Sequence, residues 1–190
     1  TYKVAFDKYG SDKPDLRLDL PILHVESIMK PIAADFIQKI FKQEDACAGM
    51  LVTENKRFTR SELDTIVTKA LEFGAKGLLW IRLSENGTIE SPIAKFLPTD
   101  FVEKVKKELG IILNADHTLF VMMGEYEETW TMLGRLRLFL GNLLSLMKNE
   151  YRFLWVTDFP LFEYDKESKS WNAVHHPFTR PSDGWEQKNI

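Results

Sequence analysis

Thr59-Arg60-Ser61-Glu62-Leu63-Asp64-Thr65-Ile66-Val67-Thr68-Lys69-Ala70-Leu71-Glu72-Phe73-Gly74, followed by the apolar run Gly77 to Leu83 and the dipeptide Asn86-Gly87, decides the fold class. Thr59 can cap a helix while Glu62, three positions on, reaches back to it, which is a capping box. Leu63, Ile66, Val67, Ala70, Leu71 and Phe73 then keep helical spacing and Gly74 supplies a stop, so a helix over 60–73 is predicted. Gly77 to Leu83 is apolar enough for a buried strand. Asn86-Gly87 tolerates positive φ at both centres of a tight turn, which makes Thr88 to Ile93 the returning strand of a hairpin.

Working outward toward the C-terminus, Pro98, Thr99 and Asp100 begin a second capped helix over about 100–109, with Phe101, Val102, Val105 and Leu109 on one face and Gly110 ending it. Thr118 to Met123 reads as a strand. Glu127 to Met147 reads as a long helix whose stripe of Trp130, Leu133, Leu136, Leu140, Leu143, Leu144 and Met147 belongs to a core. From Phe153 the period becomes two: strands are expected at Phe153 to Val156, Leu161 to Tyr164 and, after the polar loop Asp165 to Ser170, Trp171 to His175. Toward the N-terminus, Ala46 to Thr53 is a strand, and Asp35 to Phe41 reads as a strand or as a helix. Residues 1–20 open with a short amphipathic pattern (Val4, Phe6, Tyr9) and pass into a rigid loop of turn formers, Gly10 to Asp15. Strands and helices mix without strict βαβ alternation, which favours α+β over a doubly wound sheet.

The 190 residues, 44% apolar and 12% aromatic, suffice for a large core. A net charge of -3 argues against a standalone polyanion binder, because neutralising phosphates needs a concentrated basic surface. One cysteine, Cys47, excludes an intrachain disulfide and suits a reducing, cytoplasmic setting. The richest apolar stretch, Leu133 to Met147, is broken by Arg135, Arg137 and Asn142, so no membrane span is expected. No basic segment leading into an apolar one follows Thr1, so no targeting segment is expected, and the chain reads as cut from something longer.

Two constellations stand out. His175 and His176 precede Pro177-Phe178-Thr179-Arg180-Pro181; on an extended backbone they point to opposite faces, so at most one addresses a given pocket. That imidazole can donate to a substrate carboxylate, contact phosphate or ligate metal; the alternative is a strand-end pair making local hydrogen bonds. With His24 and His117 the only other histidines, and no helical His pair or Cys/His spacing, no metal site is expected. In Gly10 to Arg17, Lys13 and Arg17 are charge donors for an anionic ligand, or else Asp12 or Asp15 closes a self-bonded turn. Asp158, after an apolar strand, reads as a solvated strand end. No Gly-x-Gly or Gly-x-Ser-x-Gly occurs, and Cys47 has no nearby histidine to activate it, so no self-sufficient catalytic centre is visible.

Phe6-Asp7-Lys8-Tyr9-Gly10-Ser11-Asp12-Lys13-Pro14-Asp15-Leu16-Arg17, and Trp155-Val156-Thr157-Asp158-Phe159-Pro160-Leu161-Phe162-Glu163 through His175-His176-Pro177-Phe178-Thr179-Arg180-Pro181, closely resemble the bacterial-type aspartyl-tRNA synthetases. Phe73-Gly74-Ala75-Lys76-Gly77-Leu78 and Ser91-Pro92-Ile93-Ala94-Lys95-Phe96-Leu97 between them resemble that family's inserted GAD domain. The resemblance implies a parent enzyme, a soluble cytoplasmic homodimer, that activates L-aspartate with ATP and Mg2+ and transfers it to tRNA. It implies class II catalytic-core segments, pieces of an antiparallel sheet, at 1–20 and 150–190 around a GAD-type insertion at 21–149. His175, the first histidine of its motif, is then the contact to substrate aspartate, with His176, Ser11, Asp12, Lys13 and Arg17 as supporting residues. The ATP-binding motifs have no counterpart in this chain, so no catalytic residue and no bound cofactor are expected within it, and it is expected to be inactive alone. The alternative is that the GAD-type domain acts as a tRNA- or protein-binding module; Lys104, Lys106 and Lys107 offer a local patch, although Glu103 and Glu108 beside them favour a solvated face.

Overall fold

The computed structural model describes residues 1–165 and 168–174. Their helices are α1 (Tyr2–Tyr9), α2 (Glu26–Met29), α3 (Asp35–Ile40), α4 (Arg60–Glu72), α5 (Phe101–Leu109) and α6 (Tyr126–Leu143). Their strands are β1 (Leu23–His24), β2 (Ala46–Thr53), β3 (Leu79–Leu83), β4 (Ile89–Glu90), β5 (Thr118–Glu125), β6 (Phe162–Asp165) and β7 (Ser170–Ala173), and one 3-10 turn covers Ala94–Phe96.

Five strands form an antiparallel sheet in the order β1-β2-β5-β3-β4. Its spine is the β2–β5 pair, in register from Ala46 opposite Glu125 to Thr53 opposite Thr118. Because side chains alternate across a strand, β2 and β5 feed two cores at once. Leu51, Phe120 and Met122 join Leu63 and Ile66 of α4 and Trp130, Leu133, Leu136 and Leu140 of α6 on one face. Ala48, Met50, Leu119 and Val121 join Met29, Ile37, Phe101 and Val105, from α2, α3 and α5, on the other. The mixture of helices with an antiparallel sheet is the α+β class expected. β6 and β7 make a separate two-stranded ladder, Phe162 opposite Ala173.

The capping box is present: the Thr59 hydroxyl accepts from the Glu62 amide at 3.3 Å while the Glu62 carboxylate accepts from the Thr59 amide at 2.6 Å. That backbone donor, with Lys56 beside it, holds the Glu62 carboxyl down at about 2. The hairpin is present too, with a different turn. Gly87 has φ 79° but Asn86 is not in the left-handed region, and Ser84 and Thr88 close a loop of Glu85, Asn86 and Gly87. One positive φ, at the glycine, suffices for such a three-residue connection.

Other expectations need correction. Residues 2–9, where the sequence shows only a short amphipathic pattern, form a helix: the Thr1 hydroxyl accepts from the Val4 amide, and Gly10 at φ 64° closes the last turn. Asp35–Ile40 is a helix rather than a strand, its Ile37 fully buried. The returning strand of the hairpin is confined to Ile89–Glu90, and no side chain caps α5. The long helix stops at Leu143, where Leu144 leaves helical geometry and Ser145 takes φ 54°; Leu143 itself is about half exposed. Phe153 to Val156 is not a strand: Phe153 and Trp155 are more than nine-tenths exposed and have no partner strand among the described residues. Alternation of apolar residues makes a strand only where another edge takes up its hydrogen bonds.

Candidate functional site

The turn-rich loop after α1 is anchored from two sides. Within the loop, the Asp15 carboxylate accepts from the Arg17 amide at 3.0 Å and from the Arg17 guanidinium at 2.7 to 3.2 Å. The side-chain bond from Arg17 is the largest reason the Asp15 carboxyl sits at about 2. Ser11 accepts from the Lys13 amide at 3.0 Å. Asp15 and Arg17 therefore spend their charge on each other, whereas Lys13 reaches Asp12 only at 3.8 Å and its side chain projects into solvent.

From outside the loop, Arg137 of α6, 1% exposed, threads its guanidinium into the chain path. Nε donates to the Leu20 carbonyl at 2.8 Å, and one terminal nitrogen donates to the carbonyls of Asp15 at 2.8 Å and Leu18 at 2.6 Å. The guanidinium also lies 4.7 Å from the centre of the Tyr9 ring. Burial lowers the Arg137 pKa, opposed by Tyr9, Asp15 and Asp19.

A cavity of about 750 Å3 lies over this loop, lined by Gly10 to Asp15, by Gly134 and Arg137 of α6, and by Phe159 and Val174 from the far end of the chain. The two ends touch directly: the Tyr2 amide donates to the Thr157 carbonyl at 2.7 Å, and the Tyr2 and Phe159 rings are 5.4 Å apart. His175, next after Val174 in the chain, and His176 lie outside the described residues, as does the end of the strand expected at Trp171 to His175. Asp158 sits at φ 56°, its carboxylate accepting from the Thr157 hydroxyl at 3.1 Å.

A second constellation joins α1 to the sheet. His24 holds Asp7 through Nε2 at 2.8 Å and Glu26 through Nδ1 at 3.3 Å; Tyr126 donates to the same Asp7 oxygen at 2.9 Å, and the Trp130 indole donates to the Asp7 carbonyl at 2.7 Å. Burial alone would lower the His24 pKa, but the hydrogen bonds and charges of Asp7 and Glu26 together outweigh it and raise it above 6.5. The Tyr126 hydroxyl is likewise held protonated, by burial first and then by its bond to Asp7. Lys3 and Glu127 line the same recess. Since the folded pKa of His24 is the higher one, its contribution is complete below the unfolded pKa near 6.5 and fades as pH rises through the folded value. The urea midpoint of the chain is expected to fall as pH rises from about 6 to about 8.5, and that fall to vanish in His24→Asn. A midpoint as flat in the unsubstituted chain as in the variant would contradict this.

Cys47 donates to the Gly124 carbonyl at 3.3 Å and burial pushes its thiol up to about 12, so it is inert as a nucleophile. Among the described residues, no group of three or more His, Cys, Asp or Glu is placed to hold a metal ion, and no helix is long and apolar enough to cross a membrane. Sequence reading missed Asp7, His24, Tyr126 and Arg137. Arg137 had a signal: it stands four residues after Leu133 and three before Leu140, inside the buried stripe rather than opposite it.

Residues 37–129 match the GAD domain model. Beyond that stretch, the chain is 36% identical over 184 residues to the aspartate–tRNA(Asp/Asn) ligase of Persephonella marina and 40% identical over 186 residues to that of Desulfatibacillum aliphaticivorans. It is 38% identical over 185 residues to the aspartate–tRNA ligase of Xanthomonas euvesicatoria. The chain is similar to these aspartate–tRNA ligases along nearly its whole length, with the GAD domain match inside it. These alignments cover 95 to 96% of the chain but only 30 to 31% of each relative, so the segment spans about 30% of the length of the curated relatives it matches. The GAD match takes in α4, α5 and β2 to β5, while α1, the loop at Gly10 to Arg17 and most of α6 lie outside it.

Proposed function

We propose that this chain is part of an aspartate–tRNA ligase that activates L-aspartate with ATP and transfers it to tRNA. The observation that carries the reading is identity of 36 to 40% along at least 95% of the chain, on both sides of the GAD match. In this reading residues 1–20 and 150–190 are class II catalytic-core segments around an insertion at 21–149. The contact of Tyr2 with Thr157 and Phe159 supports placing both ends in one body. His175 contacts the substrate carboxylate, His176, Ser11, Asp12 and Lys13 support the site, and Arg17 acts through Asp15. A site built for a carboxylate leaves polar groups unpaired when an amide occupies it, which disfavours asparagine. Nucleotide and metal chemistry is assigned to no residue of this chain.

Aspartate-dependent pyrophosphate exchange tests this. The full-length ligase containing the chain is expected to exchange, and the 190-residue chain alone is expected not to, because activation needs both reactants positioned together. His175→Ala in the full-length ligase is expected to raise KM for aspartate by about 10-fold or more, the equivalent of about 1.4 kcal/mol. Exchange by the isolated chain would sink the prediction of inactivity, and an unchanged KM would return His175 to a structural role.

A further inference from the structure

We propose that Arg137 is a positioning residue for the aspartate site: from within α6 it sets the path of residues 15–20, and so the placement of Ser11 to Lys13 in the cavity shared with Val174. This rests on the ligase reading above. A guanidinium that is 1% exposed, with no carboxylate in salt-bridge contact among the described residues, is an expensive group to keep. It is satisfied instead by three backbone carbonyls within six residues and by the Tyr9 ring. Core packing alone would be served by an apolar side chain of similar length, as the neighbouring leucines of the stripe show. What an apolar side chain lacks is the planar fork that fixes the Asp15, Leu18 and Leu20 carbonyls relative to one another.

The consequence follows from connectivity. Asp15 carries both bonds: its carbonyl is held by Arg137 and its carboxylate by Arg17. Upstream, Gly10 is wedged against Gly134, three residues before Arg137 on the same helix. Residues 11–14 thus span two points fixed on one face of α6, and Ser11 and Lys13 are presented to the cavity from a strap clamped at both ends. α6 and the loop are one mechanical unit through this arginine.

The test uses Arg137→Lys, which keeps the charge without the fork, and Arg137→Met, which keeps the packing without either, in the full-length ligase. Folding is read by thermal unfolding. Both variants are expected to raise KM for aspartate by about 10-fold while KM for ATP changes by less than about twofold. Equal shifts in both constants, or no shift in a folded variant, would overturn the proposal. Amide exchange reads the loop independently of activity: residues 11–20 are expected to lose protection in Arg137→Lys while β2 and β5 keep theirs. Unchanged protection at 11–20 overturns the proposal whatever the kinetics. If the unsubstituted ligase shows no aspartate-dependent exchange, the ligase reading fails and the role at an aspartate site with it, whereas lost protection would still assign Arg137 to holding the loop.

Discussion

Trp130→Ala is expected to destabilise the 190-residue chain by about 4 kcal/mol, a large part of the stability of an ordinary domain. The ring is fully buried in α6, 4.6 Å from His24 and 4.8 Å from Tyr126 between ring centres, and it packs over Gly49 of β2. Its removal opens a cavity where α1, α6 and the sheet meet, and no side chain of that size is positioned to refill it. The indole N–H bond to the Asp7 carbonyl is lost as well. Trp130→Phe separates the two effects, since it keeps most of the apolar volume and removes only the donor. A loss of about 1 kcal/mol is expected there, the cost of a half-buried carbonyl left without its indole partner. Urea unfolding of both variants measures this. If Trp130→Ala and Trp130→Phe cost the same small amount, the ring does not carry the joint between α1 and the sheet.

How far the sequence discloses this architecture depends on whether a residue's environment is local. The α4 capping box needs only Thr59 and Glu62 and is present. β2 and β5 announce themselves by runs of apolar and β-branched residues, and both are strands. The end of α6 was misplaced by four residues because Leu143, Leu144 and Met147 continue the stripe, and only the left-handed backbone at Ser145 marks the stop. α1 was missed because its hydrophobic pattern is short and its stability comes from elsewhere, through Asp7, Trp130 and Gly134. Asp35–Ile40 carries six residues of mixed preference, and burial of Ile37 beneath β5 decides in favour of the helix.

The site is less legible still, and for the same reason. Asp15 and Arg17 were recognised as charge-bearing loop residues, but sequence spacing left open whether they faced a ligand or each other. Their two-residue separation allows a carboxylate to take both the amide and the guanidinium of the same residue, and that is how it is used. Arg137 read as an interruption of an apolar run, because the carbonyls that receive it lie 117 to 122 residues away in the chain. His24 and Asp7 likewise meet only through the fold. The residues that tie the loop to the core are thus the ones whose partners no local pattern can reveal.

Gly134→Ala is expected to destabilise the chain by about 2 to 3 kcal/mol, against the direction helix propensity would give. In the interior of an ordinary helix, glycine to alanine is favourable by about 1 kcal/mol. Here a Cβ on Gly134 would stand 2.6 Å from the Gly10 carbonyl oxygen and 2.7 Å from that of Tyr9. Both are backbone atoms of the α1 terminus, so neither can swing aside as a side-chain tip can. That terminus is itself fixed: the Gly10 amide donates to Phe6 at 2.7 Å, Gly10 occupies the left-handed region, and Asp7 one turn earlier is bound by Tyr126, Trp130 and His24. Relief of the clash therefore requires α1 to back away from α6 and to weaken those bonds. Gly141→Ala supplies the contrast on the same helix, because its Cβ would press on the Leu18 side chain, which has rotamers to change. A smaller loss, about 1 kcal/mol, is expected for it. Urea midpoints of both variants, with amide exchange across residues 2–10, distinguish the cases. A Gly134→Ala chain as stable as the unsubstituted one, with α1 still protected, would mean that α1 and α6 do not approach so closely in solution.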